Sequence, residues 1–570
     1  MSTPYTVNVA THLADMAARE ASRPALILPR LRRNRIDATQ LTFVELDLVS
    51  GQLARGLDQV GIGRGVRTVL MVPPSFDFFC LTFALFKVGA VPVLIDAGMG
   101  IRNLGRCLAE AEPAAFIGVP KAHIARCILR WAAESIHITV TTGSRLFGGT
   151  HTVKQLRQRG ERLGALPVAT TRADEPAAIL FTSGSTGPAK GAVYTHAMFA
   201  AQVEYLKHVY AIEAGEVDLC TFPLFALFAP ALGMTAVIPE MDATRPARVD
   251  PIKIIRAVEH FRVTNLFGSP ALIDRVGRYG AVRGVKLPTL RRVISAGAPV
   301  PARVAESFAN MLAPGVQVFT PYGATESLPV SNVGSDTILR ETRHLTEEGR
   351  GVCVGRPVPG MDVRVIPISE DQIPVFDEST TLPPGEVGEI AVSGPVVSAE
   401  YFGRPQATAL AKMRDSAGRL WHRMGDLGYF DDSGRLWFCG RKAHRVVTPG
   451  ATLFTDQVEP VFNNVPGILR TALVGVTRNG TTYPVLCYVL GGADRPLAEV
   501  ERDLRAVGLR YAHTRGIEVY LEYPRDFPVD VRHNSKIFRE KLAKWVDTEM
   551  AWVRIPPDRR PAEVGSEAAG

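Results

Sequence analysis

The stretch that most constrains this chain is Phe181-Thr182-Ser183-Gly184-Ser185-Thr186-Gly187-Pro188-Ala189-Lys190-Gly191, entered from the apolar run Ala177-Ala178-Ile179-Leu180. Such a run reads as a buried strand that ends in a loop. Glycines let successive backbone N–H groups turn inward and form a concave anion nest. The hydroxyls add donors and Lys190 adds a positive charge, so a polyphosphate is the natural ligand. A flexible Ser/Gly linker is the alternative. The loop is short for that role, carries a lysine at its exit and is followed by the strand-like Gly191-Ala192-Val193-Tyr194. It is not a Walker loop either, because that motif opens directly into a helix after its lysine. Here a helix comes only later, with Thr195 as cap and Phe199, Val203, Leu206 and Tyr210 on one face.

Alternation of helical and strand periods surrounds this loop. Asn8 reads as the cap of a first helix with Val9, Leu13, Met16 and Ala17 inward. Residues 43–60 read as a helix stopped by Gly61, then 68–72 as strand, 78–88 as helix and 91–95 as strand. The pattern resumes with a helix over 252–262 and strands over 263–267 and 291–295. This is the pattern of α/β units with parallel strands. From about Gly355, short strands between Pro/Gly turns (363–366, 389–392, 436–439) predict a small β subdomain. A compact α/β segment follows, with helices over 499–507 and 537–550 and a strand over 517–521. The tail from Pro556 to Gly570 has a disordered composition.

At 570 residues with 46% apolar content, three or four domain-sized units are expected. A net charge of +8 suits anionic small molecules as well as nucleic acid, and no nucleic-acid motif accompanies it. Arg30, Arg32, Arg33 and Arg35 read as a solvated loop, with a membrane-surface or partner contact as the second reading. Seven scattered cysteines, none in C-x-x-C spacing, argue against a zinc site or disulfide framework and fit a cytoplasmic protein. The most apolar stretch, 78–95, contains Lys87, Gly89 and Pro92, so no membrane span is expected, and no signal peptide is apparent.

The loop at Thr182 to Lys190 resembles the phosphate loop of the adenylate-forming superfamily of acyl-CoA synthetases, adenylation domains and luciferases. Other segments resemble that family's elements in its order. Pro321-Tyr322-Gly323-Ala324-Thr325-Glu326 is similar to the aromatic-Gly-x-Thr-Glu element. The resemblance implies that Tyr322 stacks on adenine, Gly323 belongs to the nucleotide-binding set, Thr325 contacts the α-phosphate and Glu326 holds Mg²⁺. A glycine turn with a solvated glutamate is the alternative. Gly297, Ala298 and Pro299, after Ser295-Ala296, resemble the segment lining the adenine pocket. Asp426, in Trp421-His422-Arg423-Met424-Gly425-Asp426, would bind both ribose hydroxyls; its alternative is a type I turn aspartate. Arg441 would lie beside the ribose and mark the hinge. Lys536, in Asn534-Ser535-Lys536-Ile537, would bridge the substrate carboxylate and α-phosphate during adenylation.

The resemblance thus implies ATP and Mg²⁺ as cofactors. It also implies an α/β fold whose large N-terminal adenylating domain (1–441) holds two α/β subdomains and a small β-barrel. A small mobile α+β C-terminal domain (442–555) and a disordered tail (556–570) would complete the chain.

Two features depart from the usual acyl-CoA ligase of that superfamily. In Phe222-Pro223-Leu224-Phe225-Ala226-Leu227-Phe228, Ala226 stands where most ligases have histidine, and Phe222, Phe225, Ala226 and Phe228 suit an acyl wall. Plain core packing would look the same. Ala443, between Lys442 and His444, stands where the hinge usually has Asp or Lys, and Gln457 replaces the first acid of the following pair, leaving Glu459. The runs 181–196, 222–233 and 437–445 resemble, within that superfamily, the β-lactone synthetases of bacterial long-chain olefin biosynthesis. The resemblance implies that a long-chain 2-alkyl-3-hydroxy acid is adenylated and its own 3-hydroxyl closes the lactone, with His444 one candidate base. A thiolase-like enzyme, a reductase and an α/β-hydrolase are the implied pathway partners. A long-chain acyl-CoA or acyl-AMP ligase is the alternative enzyme, and an inactive nucleotide-binding sensor or scaffold is the alternative outside catalysis.

Overall fold

A computed structural model describes residues 6–32, 35–96, 99–144, 150–182, 188–222, 227–492, 495–529 and 537–549. Ser183 to Gly187, Pro223 to Ala226, Lys536 and the tail lie outside the described residues.

A first sheet of seven strands runs His151–Thr152, Ile138–Thr141, Ala115–Gly118, Arg67–Met71, Val91–Ile95, Pro176–Thr182, Lys190–Thr195. Its strands are parallel except at the last pair, an antiparallel hairpin with Thr182 opposite Lys190. The helix Phe76–Val88 is buried from Phe78 through Val88, as expected of a helix that is apolar all round. Ser75 caps its start by accepting from Phe78 N, and Gly89, at φ 73°, ends it in the left-handed conformation that glycine adopts freely. The helix His196–Val209 begins at the Thr195 cap, whose side chain accepts from Met198 N.

A second sheet is built on parallel strands Val217–Cys220, Asn265–Gly268, Arg292–Ser295 and Val318–Ala324. The last of these turns back as Ser327–Gly334, with Thr325 and Glu326 at the turn. The small β region expected from Gly355 joins this sheet through Val352–Pro357 and continues to Leu436–Arg441, Leu420–Phe430, Gly388–Ser393 and Asp362–Ile366. Beyond it, Ile468–Arg478, Thr481–Leu490 and Val519–Glu522 form a three-stranded sheet. The helices Thr455–Asn463, Leu497–Gly508 and Arg539–Glu549 accompany this sheet, around two apolar clusters of its own. The architecture is mixed α/β, a large N-terminal portion built on two sheets followed by a small C-terminal unit.

Three local expectations change. Asn8 is not the helix cap: the helix Thr11–Arg19 has Ala10 at its N-cap, with no side-chain cap bond. The Asn8 amide is instead buried, donating to Phe86 O (2.9 Å) and Ala169 O (3.1 Å) and so tying the N-terminus to the first sheet's layer. Arg30, Arg32 and Arg35 belong to paired strands, Pro24–Arg32 and Arg35–Thr42, rather than a loop; Arg33 is outside the described residues. Asp37 pairs with Arg32 and Arg35 there, at the exposed end of the hairpin. Asp426 lies within a long strand rather than a type I turn. Among the described residues no helix is long and apolar enough to cross a membrane.

Candidate active site

A cavity of about 590 Å³ opens where the C-terminal ends of parallel strands from both sheets face each other, the position where open α/β sheets place ligands. Its wall has an apolar end and a polar end. Phe83, Phe86, Leu94, Leu180, Phe199 and Leu206 line the apolar end, between the helices Phe76–Val88 and His196–Val209. Phe222 and Phe228 also reach the wall, with ring centroids 5.8 Å from Phe267 and 6.2 Å from Phe199, respectively. Phe225 and Ala226 lie outside the described residues.

At the polar end the wall holds Lys190, Gly297, Gly323, Thr325, Glu326 and Arg441. Residues as distant in the chain as Lys190 and Arg441 thus share one surface because two separate sheets end there. Ala298 and Pro299 are not among the described lining residues, although Ala296 and Gly297 are. The backbone of Thr182 is opposite Lys190, while the hydroxyl and glycine cradle from Ser183 to Gly187 is outside the described residues.

Glu326 is fixed from two sides. Tyr401 Oη donates to its Oε1 at 2.6 Å, and its backbone carbonyl accepts from Ser398 N at 2.8 Å. Lys190 Nζ lies 4.8 Å from the centroid of the same Tyr401 ring, within cation–π range. Burial, then the Glu326 charge, hold the Tyr401 phenol protonated far above its ordinary range, so it remains a donor. Behind Tyr401, buried Lys412 donates to Ser398 O at 2.5 Å. Burial lowers the Lys412 pKa to about 7, against the opposing pull of Glu326. Tyr194 Oη donates to the Thr325 carbonyl, pinning the other residue of the turn.

Tyr322 and Asp426 are not among the lining residues, though their neighbours Gly323 and Gly425 are. They bond each other: Tyr322 Oη donates to Asp426 Oδ2 at 2.7 Å, and Arg441 Nη1 lies 2.8 Å from Asp426 Oδ1. Burial and the Asp426 charge raise the Tyr322 pKa well above 10. The Asp426 charge raises that of Arg441 as well. Tyr322, Asp426 and Arg441 thus form one bonded unit.

The turn Lys442–His444 is anchored on both sides of Ala443. Lys442 Nζ donates to Ser369 O (2.7 Å) and pairs with buried Glu389 (3.1 Å), while Arg445 donates to Lys442 O and pairs with Glu370. Lys442 and Ala443 line the cavity; His444 does not.

A model of the family described as AMP-binding enzyme matches residues 13–402. The chain belongs to that family. It is an adenylate-forming enzyme of the ligase type, and enzymes of this kind draw on ATP. Its sequence is 49% identical over 553 residues to an olefin beta-lactone synthetase of Stenotrophomonas maltophilia, covering 95% of this chain and 98% of the relative. It is 50% identical over 547 residues to the olefin beta-lactone synthetase of Xanthomonas campestris pv. campestris, covering 94% and 97%. The structure of ATP-bound MatB from Rhodopseudomonas palustris shares the fold, with a TM-score of 0.75 at 21% identity, covering 95% of this chain and 99% of that one.

The tyrosines at 194 and 401 and Lys412 were not legible as site residues. Tyr401 stands in Glu400-Tyr401-Phe402-Gly403, a segment with no chemical signature of its own. Only its meeting with Glu326, 75 residues away in the chain, gives it a role.

Proposed function

We propose that this chain is an AMP-forming β-lactone synthetase: it activates a long-chain 2-alkyl-3-hydroxy acid with ATP, and the substrate's own 3-hydroxyl displaces AMP. The observation that carries the reading is the near-full-length likeness to two olefin β-lactone synthetases. The cavity supports it, since an apolar arm leads directly to a polar end of the right chemistry for a nucleotide.

In this reading Lys190 and the Thr182, Ser183, Gly184, Ser185, Thr186 and Gly187 cradle grip the β- and γ-phosphates. Thr325 meets the α-phosphate and Lys536 neutralises charge between the carboxylate and that phosphate. Gly297, Ala298 and Pro299 flank the adenine with Tyr322 and Gly323, and the Asp426–Arg441 pair orients the ribose. Phe222, Phe225, Ala226 and Phe228 wall the acyl chain. Glu326 fits Mg²⁺: one buried-side oxygen is already held by Tyr401, and among the described residues no cluster of three or more His, Cys, Asp or Glu forms a metal cage. One carboxylate plus substrate phosphates is how Mg²⁺ is commonly held. Bound there, Mg²⁺ would neutralise charge on the departing pyrophosphate.

An intramolecular nucleophile needs no second substrate, and its effective molarity is high once the hydroxyl is held at the carbonyl. The anchored hinge is consistent with that economy, because nothing requires the small domain (442–555) to turn against 1–441 between the two half-reactions. Thiolase-like, reductase and α/β-hydrolase enzymes acting before and after this step, in the cytoplasm, complete the reading.

Purified protein given ATP, Mg²⁺ and a 2-alkyl-3-hydroxy acid without CoA should release lactone, AMP and pyrophosphate in equal amounts. Product that forms only when CoA is added would replace this reading with an acyl-CoA ligase.

A further inference from the structure

The helix His196–Val209 carries three cavity-lining residues, Phe199, Gln202 and Leu206, at the three- and four-residue spacing that keeps side chains on one face. Phe199 and Leu206 belong to the apolar arm. Gln202 stands between them and is only 6% exposed. An amide buried in an apolar wall costs free energy unless its groups are hydrogen-bonded.

Half of this amide is bonded. Its Nε2 donates to Leu328 O at 3.0 Å, two residues beyond Glu326. The same side chain meets Tyr194, another wall residue, whose Oη donates to the Thr325 carbonyl. Burial, then the Glu326 charge, raise the Tyr194 pKa, and a hydrogen bond from Gln202 opposes them. Opposition of that sign comes from a donor, so the N–H end of the amide faces the phenol oxygen. Leu328 and Tyr194 therefore fix which way the amide points. Its Oε1 is buried and, among the described residues, has no hydrogen-bond partner. Buried polar atoms of folded proteins are nearly always bonded, so an acceptor left open in a cavity wall marks a place for a donor.

The position of Gln202 narrows what that donor is. Gln202 lies one hydrogen bond from Tyr194 and two from Thr325, so the open acceptor sits where the apolar arm meets the polar end. A carboxylate and an α-phosphate brought there only accept hydrogen bonds, and alkyl chains neither accept nor donate. A 3-hydroxyl donates, and its carbon is two bonds from the carboxyl carbon, so it comes to rest beside the carboxylate.

We propose that Gln202 is the substrate-binding residue that recognises the 3-hydroxyl, its Oε1 accepting the O–H of a 3-hydroxy acid held in the arm. The assignment rests on the β-lactone reading above. An amide is no base at neutral pH, so Gln202 binds and aims the hydroxyl and does not take its proton. Holding that oxygen in one orientation beside the carboxyl carbon is what gives an intramolecular nucleophile its high effective molarity.

The test compares 2-alkyl acids that carry a 3-hydroxyl, a 3-fluorine or no 3-substituent, by the second-order rate constant for pyrophosphate release in the first turnover. Neither fluorine nor hydrogen donates, so the parent should favour the hydroxy acid over both by about tenfold or more. Gln202→Met keeps the length of the side chain and removes the acceptor. It should lower the constant for the hydroxy acid and bring the three acids to within about threefold of one another. A parent that treats the hydroxy and fluoro acids alike overturns the proposal, whether or not the variant folds; an acceptor that serves only solvent gives that result. A variant that keeps the parental preference overturns it too, as does an equal loss for all three acids, which a merely structural glutamine would give. Failure of the β-lactone reading is seen separately, as a parent that makes no lactone without CoA, because pyrophosphate leaves before the ring closes.

Discussion

The two ends of the cavity are held by different physics. At the polar end each functional side chain has a directional partner: Tyr401 for Glu326, Tyr322 and Arg441 for Asp426, Glu389 for Lys442. At the apolar end Phe83, Phe86, Phe199 and Leu206 are placed by packing between two helices. Hydrogen bonds weaken steeply with distance and angle, whereas apolar walls accept volume-conserving change at small cost. Substitutions at the polar end should therefore act on the rate of adenylation, and those at the apolar end on which acid is chosen.

The largest effect should come from Lys536→Ala. If Lys536 has the role proposed for it, its loss should lower pyrophosphate exchange by roughly 10²–10³-fold, with ATP affinity measured by calorimetry nearly unchanged. Exchange at the parental rate would move the catalytic lysine elsewhere. Next is Tyr401→Phe, which deletes only the hydroxyl that Glu326 accepts. A hydrogen bond to a charged group contributes about 1.5–3 kcal/mol, so exchange should fall by roughly 10- to 100-fold, with a higher Mg²⁺ requirement. A Mg²⁺ titration that superimposes on the parental one would show that Tyr401 does not position Glu326.

The contrast also explains what could be read from the chain alone. The strand Val91–Ile95 has the expected ends, and Thr195 caps its helix as expected, because periodicity and capping are local properties. The small β region was legible strand by strand, but its hydrogen-bonded continuity with the second sheet depends on Ser331 pairing with Pro357. Asn8 looked like a cap because capping is the local use of asparagine; its bonds to Phe86 and Ala169 span up to 161 residues. The motif residues stood out by type and spacing. Their supports Tyr194, Tyr401 and Lys412 are ordinary residues whose meaning is set only by tertiary contact.

At the apolar end Ala231→Leu adds three carbons to a wall position. A methylene's worth of pocket changes discrimination by about 1–3 kcal/mol, so kcat/KM for the longest acids should drop about tenfold. A short 3-hydroxy acid should react as before. An equal drop for both acids would mean that Ala231 supports the fold rather than measuring the chain.

The smallest effect compares two aspartates, Asp426 and Asp456. Asp426 is buried but paired with Arg441 and accepts from Tyr322. Asp456, on the helix Thr455–Asn463, accepts from Thr455 Oγ1 at 2.9 Å, and burial followed by the Glu459 charge raises its pKa from 3.8 to about 6. A carboxyl whose folded pKa is raised supports the fold fully below its unfolded pKa and loses that support as pH rises through the folded value. For Asp456 the loss develops between 3.8 and about 6 and is complete at neutral pH. Asp456→Asn, which keeps an acceptor for Thr455 and carries no charge, should therefore raise the melting temperature at pH 7.5 by about 2–4 °C, the shift that roughly 1 kcal/mol produces in a domain of moderate size. The gain should shrink at pH 4.5, where the parent carboxyl is largely protonated. Asp426→Asn should instead destabilise at pH 7.5, since it leaves Arg441 beside a neutral group. A gain for Asp456→Asn of the same size at both pH values would mean that the substitution improves packing and that burial of the charge costs nothing.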